Sequence, residues 1–150
     1  MRINLAVKGK VKITVRDLSG KAIQRVEASN LVVSAGRNLL TDWLIGQNYV
    51  SGLLYVGVGS SNQAPALTNT DLIQPIGPRK QATDRFRTQN VATISTFFGS
   101  QDNNGVWRET GIFQNQTGAP MFARAVFSPE IVKDQSKTVT VDWDIFQFSM

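Results

Sequence analysis

Val106-Trp-Arg-Glu-Thr-Gly-Ile-Phe113, Met121-Phe-Ala-Arg-Ala-Val-Phe127 and Thr138-Val-Thr-Val-Asp-Trp-Asp-Ile-Phe-Gln-Phe148 decide the fold. Each run is rich in β-branched and aromatic residues, which suit a pleated, half-buried surface. In the last run Val139, Val141, Trp143 and Ile145 share one face, and Thr138, Thr140, Asp142 and Asp144 share the other. Asn115-Gln-Thr-Gly118 supplies a turn between the first two runs. Ser128-Pro129 is expected to break the second run before Ile131-Val-Lys133, because proline cannot donate to a ladder. No grouping of acid, base and nucleophile interrupts these strands. The sequence therefore points to a sheet whose information lies in its packing, and to structural attachment rather than catalysis.

Working outward, Asp102-Asn-Asn-Gly105 is a strong turn signal, predicted to join Asn90–Phe98 to Val106–Phe113 as a hairpin. Near the N-terminus, Val11-Lys-Ile-Thr-Val-Arg-Asp17 alternates apolar and polar residues. Leu18-Ser-Gly-Lys21 turns the chain back through Ile23 and Val26 to Asn30–Val33, a second hairpin. One α-helix is expected. Ser34 is placed to cap it, Leu39, Leu40, Trp43 and Leu44 form a core stripe, and Gly46 ends it in a left-handed conformation. Leu53–Gly59 reads as a strand, and residues 60–78 as a polar loop in which Thr68-Asn-Thr-Asp71 could cap a short helical turn through Leu72 and Ile73. Arg79–Thr88 reads as an edge strand or ordered arm. The sum is a mainly β fold: an antiparallel β-sandwich or barrel-like domain with one α-helix packed on it, spanning 1–150, with 1–29 as a possible docking arm or hairpin.

The chain has 150 residues, enough to bury roughly two thirds of the surface that it exposes unfolded. It contains no cysteine and no histidine. This removes disulfides, thiolate zinc sites, cysteine nucleophiles and the commonest general base. No apolar run reaches the ~18 residues of a membrane span, and the apolar part of the N-terminus is too short for a signal peptide. The net charge is +5 and uneven. Residues 1–37 hold eight basic residues against Asp17 and Glu27, whereas from residue 100 onward six acids face four bases. A solvated surface, or one that meets an acidic partner protein, fits this pattern. Nucleic acid fits it less, because no aromatic residue interleaves the basic residues of the N-terminal run.

Four stretches carry candidate chemistry. Gly57-Val-Gly59 follows a strand, but the lysine of a phosphate loop and the third glycine of a dinucleotide fingerprint are missing. Asp142 and Asp144 point to one face and could hold a cation, yet a cross-strand ion pair with Arg108 or Arg124 is the simpler expectation. Glu109 lies between Trp107 and Gly111-Ile-Phe113 in a run that should be buried. A buried carboxylate needs an arginine or backbone amides, so it should fix a turn or a subunit contact rather than act as a general acid. Asp102-Asn-Asn-Gly105 lacks the alternating acids of a calcium loop. No catalytic, cofactor-binding or metal-binding residue is assigned, and no cofactor or small-molecule substrate is expected. Trp43, Trp107 and Trp143 could stack on sugar rings in a carbohydrate-binding module, but each sits among core-type neighbours.

The order of landmarks resembles a known group. Asn30-Leu-Val-Val-Ser-Ala-Gly-Arg-Asn-Leu-Leu is similar to the opening of small phage tail proteins. Tyr55-Val-Gly-Val-Gly-Ser, with Ala64-Pro65 and Thr70-Asp71-Leu72 after it, resembles their aliphatic-glycine-x-glycine, Ala-Pro and Thr-x-Leu segment. Trp107-Arg-Glu-Thr-Gly-Ile-Phe113, Met121-Phe-Ala-Arg-Ala-Val-Phe127 and Val132-Lys133 resemble their Glu-x-Gly-Leu-Phe and Ala-Arg-Ala segments and the lysine beyond. The resemblance covers 30–148 and is to bacteriophage virion proteins of the tail-fibre (tail-collar) attachment type. It implies a structural subunit of a tailed phage virion, in the tail, collar or fibre attachment, assembled in the host cytoplasm. Its implied partners are copies of itself and other virion proteins, with no membrane. A capsid decoration protein is the alternative within that class. Met1–Lys10, with Ile3, Leu5 and Val7 alternating, is the segment expected to contact other chains.

Overall fold

The computed structural model describes residues 5–47, 52–118 and 120–149. Among the described residues, ten strands form two antiparallel five-stranded sheets. The strands are β1 (Leu5–Asp17), β2 (Ala22–Ser29), β3 (Leu31–Val32), β4 (Tyr55–Gly59), β5 (Lys80–Gln81), β6 (Asp84–Thr88), β7 (Val91–Phe98), β8 (Gly105–Phe113), β9 (Met121–Lys133) and β10 (Lys137–Ser149). The first sheet runs β2-β1-β10-β7-β6 and the second β3-β9-β8-β4-β5. The one helix among the described residues, α1 (Ser34–Leu44), packs against β9 of the second sheet. The fold is a β-sandwich, one of the two forms, sandwich or barrel, that the period-2 patterns allow.

The two sheets bury their facing sides. Val11, Ile13, Val15, Val139, Val141, Trp143, Ile94 and Phe98 come from the first, and Val56, Val58, Trp107, Ile112, Ala125 and Ile131 from the second. The expected face of the last strand is therefore the core face, with Ile145 partly buried beside it. Trp107 and Trp143 are fully buried, and Phe98 meets Trp107 edge-on at 5.0 Å between centroids. Ring edge against ring face is the favourable electrostatic arrangement.

Several local expectations are corrected. Asp102–Gly105 does turn the chain, but β7 and β8 do not form a hairpin: β7 pairs with β10 and β6, and β8 with β9 and β4. The turn carries the chain from one sheet to the other. Ser128-Pro129, a cis peptide, lies within β9 rather than ending it. The β8–β9 ladder jumps from Trp107↔Ile131 to Glu109↔Val126, so the proline sits in a bulge where no ladder amide is required. The helix begins at Ser34, but its cap is extended Val33 with no side-chain bond; the Leu67 carbonyl accepts the Ser34 amide instead. Leu44 lies on the solvent side, 87% exposed, while Leu39 is buried and Leu40 and Trp43 pack against the core. Gly46 has a positive φ of 76°, as a helix end requires. The helical turn that Thr68–Asp71 was expected to cap, through Leu72 and Ile73, does not form; a tight turn over Ala66–Asn69 comes before them instead.

The 1–29 hairpin is built into the sandwich. Val11, Ile13, Val15 and Val26 are core residues. Within the expected contact segment Met1–Lys10, residues 1–4 lie outside the described residues. From Leu5 to Lys10 the chain pairs with Ser149 to Asp144 as part of β1, not as an arm ahead of the fold.

Candidate functional site: a buried clasp under the 60–78 loop

The second sheet has an outward face that is not left to solvent. Tyr55, Gly57 and Gly59 of β4 stand opposite Phe113, Gly111 and Glu109 of β8, and Gly111 stands opposite Arg124 of β9. Opposed residues share a face, so these positions form one surface, and the 60–78 loop lies on it. Gly57 and Gly59 are there for close approach. A side chain at Gly57 would meet Leu72, and one at Gly59 would meet the Glu109 carboxylate and the Gln74 carbonyl. The Gly-x-Gly pair lets a loop lie flat on a strand, which answers the phosphate-loop question with packing. Val33, Leu72, Phe113 and Met121 form a small second core beneath it.

Glu109 and Arg124 are both fully buried within this layer. Arg124 Nε donates to Glu109 Oε2 at 2.8 Å. The Ile73 amide donates to the same oxygen at 3.1 Å. The Gln74 amide donates to Oε1 at 2.8 Å and the Ser61 amide to it at 3.4 Å. Arg124 Nη1 reaches Asn69 Oδ1 at 3.3 Å. A carboxylate with both oxygens engaged in this way is satisfied as an anion, and its work is to hold the loop to the sheet. The expected role of Glu109 as a fixing hydrogen-bond acceptor matches this geometry.

A second latch closes the crossing between the sheets. Asp102 accepts the Gly99 amide at 2.8 Å and pairs with Lys80 at 3.1 Å. The Gly99 amide, with Lys80 adding to it, holds the Asp102 carboxyl below the usual carboxylate range. Asn103 donates to the Ile76 and Pro78 carbonyls at 2.5 and 2.9 Å, and its own carbonyl accepts the Trp107 indole at 2.7 Å. Asn104 accepts Lys133 Nζ at 2.8 Å. Burial pushes the Lys133 ammonium below the ordinary lysine range, against the pull of Asp102 and Asp134. All three polar side chains of the turn are thus engaged, whereas the sequence marks them only as turn residues. The signal available was the buried-strand position of Lys133, which had to find an acceptor. Arg79, also unassigned, lies 3.4 Å above the Phe113 ring and donates to the Asn115 and Gly118 carbonyls.

The expected pairing of Asp142 and Asp144 with Arg108 or Arg124 is overturned. The two aspartates are on β10 of the first sheet, and both arginines are on the second. Asp144 stands opposite Lys10 and accepts the Thr93 hydroxyl at 2.7 Å; Asp142 stands opposite Lys12. Arg108 pairs with Glu130 at 2.6 Å across the β9 bulge. Among the described residues, no three histidine, cysteine, aspartate or glutamate side chains are grouped to hold a metal, and no helix is long and apolar enough to cross a membrane. In comparisons with known proteins, no family model, no characterised protein and no solved structure matches the chain.

Proposed function

We propose that this chain is a structural subunit of a tailed-phage virion, an adaptor of the tail, collar or fibre attachment that works by assembly with copies of itself and with other virion proteins. One observation carries the reading. The three segments that resemble the tail-attachment group, 55–60, 107–113 and 121–127, supply Gly59, Glu109 and Arg124, and these meet in one buried clasp. Residues brought together for packing, with the carboxylate consumed by four donors, suit a rigid body that acts through its surface. The buried Trp107 and Trp143 are unavailable for stacking on sugars, which weakens the carbohydrate-binding alternative.

The test is the composition of purified phage particles. Copies in the range of six to a few tens, set by tail symmetry, support the adaptor. Hundreds of copies on the head would replace it with a capsid decoration protein. Absence of the chain from finished particles would overturn the virion reading altogether.

A further inference from the structure

We propose that the outer edge of β2 docks a second copy of this chain, β2 against β2 in antiparallel register about a two-fold axis at Val26. The inference deepens the assembly reading and rests on it only in requiring that the chain meet copies of itself. β2 ends the first sheet, and among the described residues no strand pairs with its outer side. The described neighbours of the undescribed residues stand away from this edge. Gly52 and Trp43 line one groove with Arg85 of β6, at the far edge of the sheet. Gly118 and Pro120 lead into the Met121 end of β9, whereas β2 reaches β9 at the Glu130 carbonyl, through the Gln24 amide at 3.2 Å. Leu5 pairs with Ser149, and β1 must run from Leu5 to Lys10, about 17 Å, before it meets β2.

Backbone alternation fixes what the edge offers. The Asn30 amide donates to the Gly9 carbonyl at 3.1 Å. In an antiparallel ladder that bonded pair recurs every second residue, at Ala28, Val26 and Gln24. The amides and carbonyls of Arg25, Glu27 and Ser29 therefore point away from β1, and their side chains are exposed. Among the described residues, neither Arg25 nor Glu27 has a hydrogen-bond or ion-pair partner. Charges on an edge commonly protect it from pairing, but a cation and an anion two residues apart complement their own copy. A two-fold register centred on Arg25 sets it against itself, and one centred on Glu27 sets that carboxylate against itself. The register centred on Val26 sets Arg25 against Glu27 twice, with the outward backbone groups of both matched. It also extends a pattern within the sheet. Asp142, Lys12 and Glu27 stand side by side on β10, β1 and β2 with alternating sign, and Arg25 of the second copy is the next member of that row.

The full chain is followed by sedimentation equilibrium and amide hydrogen exchange from about 1 µM to about 1 mM. One added strand is a small interface, so a dissociation constant on the order of 100 µM is expected. Exchange at the Arg25 and Glu27 amides should slow as concentration rises, while Gln24 and Val26, already bonded to β1, should not respond. Arg25→Glu alone and Glu27→Arg alone each set like charges together at two places, and each should weaken the dimer about tenfold or more. Mixed in equal amounts, the two variants should pair with each other, and the exchange of both charges in one chain should restore the homodimer. A wild type still monomeric at about 1 mM, a dimer indifferent to the single reversals, or single variants that do not recover on mixing would each overturn the inference. A monomer in solution that is nevertheless present in particles would sink this inference alone. A β2 dimer absent from particles would sink the virion reading alone.

Discussion

Glu109→Gln tests the clasp directly. Glu109 and Arg124 have fully buried side chains joined by a 2.8 Å bond. In the variant, the amide nitrogen must replace one of the two carboxylate oxygens. At Oε2 it would face the Arg124 Nε and Ile73 donors, and at Oε1 the Gln74 amide. Either way donor meets donor, and the arginine is left as an uncompensated buried charge. Breaking one partner of such a pair costs about 3–5 kcal/mol. For a chain of this size that is a fall in Tm of roughly 6–20 °C. Replacing both, as Glu109→Gln with Arg124→Met, removes the stranded charge. The double variant should therefore be more stable than the sum of the singles by about 1 kcal/mol or more, as contacting residues couple. Thermal melts of wild type, both singles and the double supply the cycle. Hydrogen exchange at the Ile73 and Gln74 amides supplies the location, and should accelerate in Glu109→Gln. Additive melts together with unchanged exchange at those two amides would refute the clasp as the tie between loop and sheet.

Gly36→Ala should destabilise the protein by about 1–3 kcal/mol, the range of core overpacking, measured as a lower urea midpoint. Alanine is the better helix former by ~1 kcal/mol, but here its methyl group would land on the Phe122 carbonyl of β9, so contact outweighs propensity. Asp102→Asn should flatten the acid limb of the stability curve, followed by urea midpoints from pH 7 to pH 2. Because the folded carboxyl lies below its ordinary value of 3.8, its contribution is fully present above that value and is lost as pH falls through the folded one. An acid limb as steep in the variant as in the wild type would remove Asp102 from the account.

Faces were legible in this sequence, and sheets were not. Alternation placed Val139, Val141 and Trp143 inside and Thr140 outside, because a strand has period two whatever it pairs with. The hairpin from Val11 back through Val26 was legible for the same reason, with Gly20 at φ 91° in its turn, but its expected end at Asn30–Val33 was not: Leu31 and Val32 cross to the second sheet and pair with β9. The β7–β8 connection was not. Asp102–Gly105 has the chemistry of a reversal, and that chemistry says nothing about whether the chain returns to its own sheet or crosses to the facing one. Pro129 misled for a related reason. Proline is excluded from a ladder, not from a strand, and four residues of β9, Phe127 to Glu130, lie opposite Arg108 alone.

The clasp was half legible, and the missing half has the same cause. Burial of Glu109 could be argued from its apolar neighbours, and a buried carboxylate must be paired, so an arginine or backbone amides were required. Choosing the arginine needed knowledge of which strands share a sheet. If β8, β9 and β10 shared one sheet, Arg124 would be within reach of Asp142; with β10 on the facing sheet, the core separates them. Once the sheets are assigned, the charges sort themselves. Lys10 and Lys12 fall opposite Asp144 and Asp142 on the first sheet, and Arg124 falls beside Glu109 on the second.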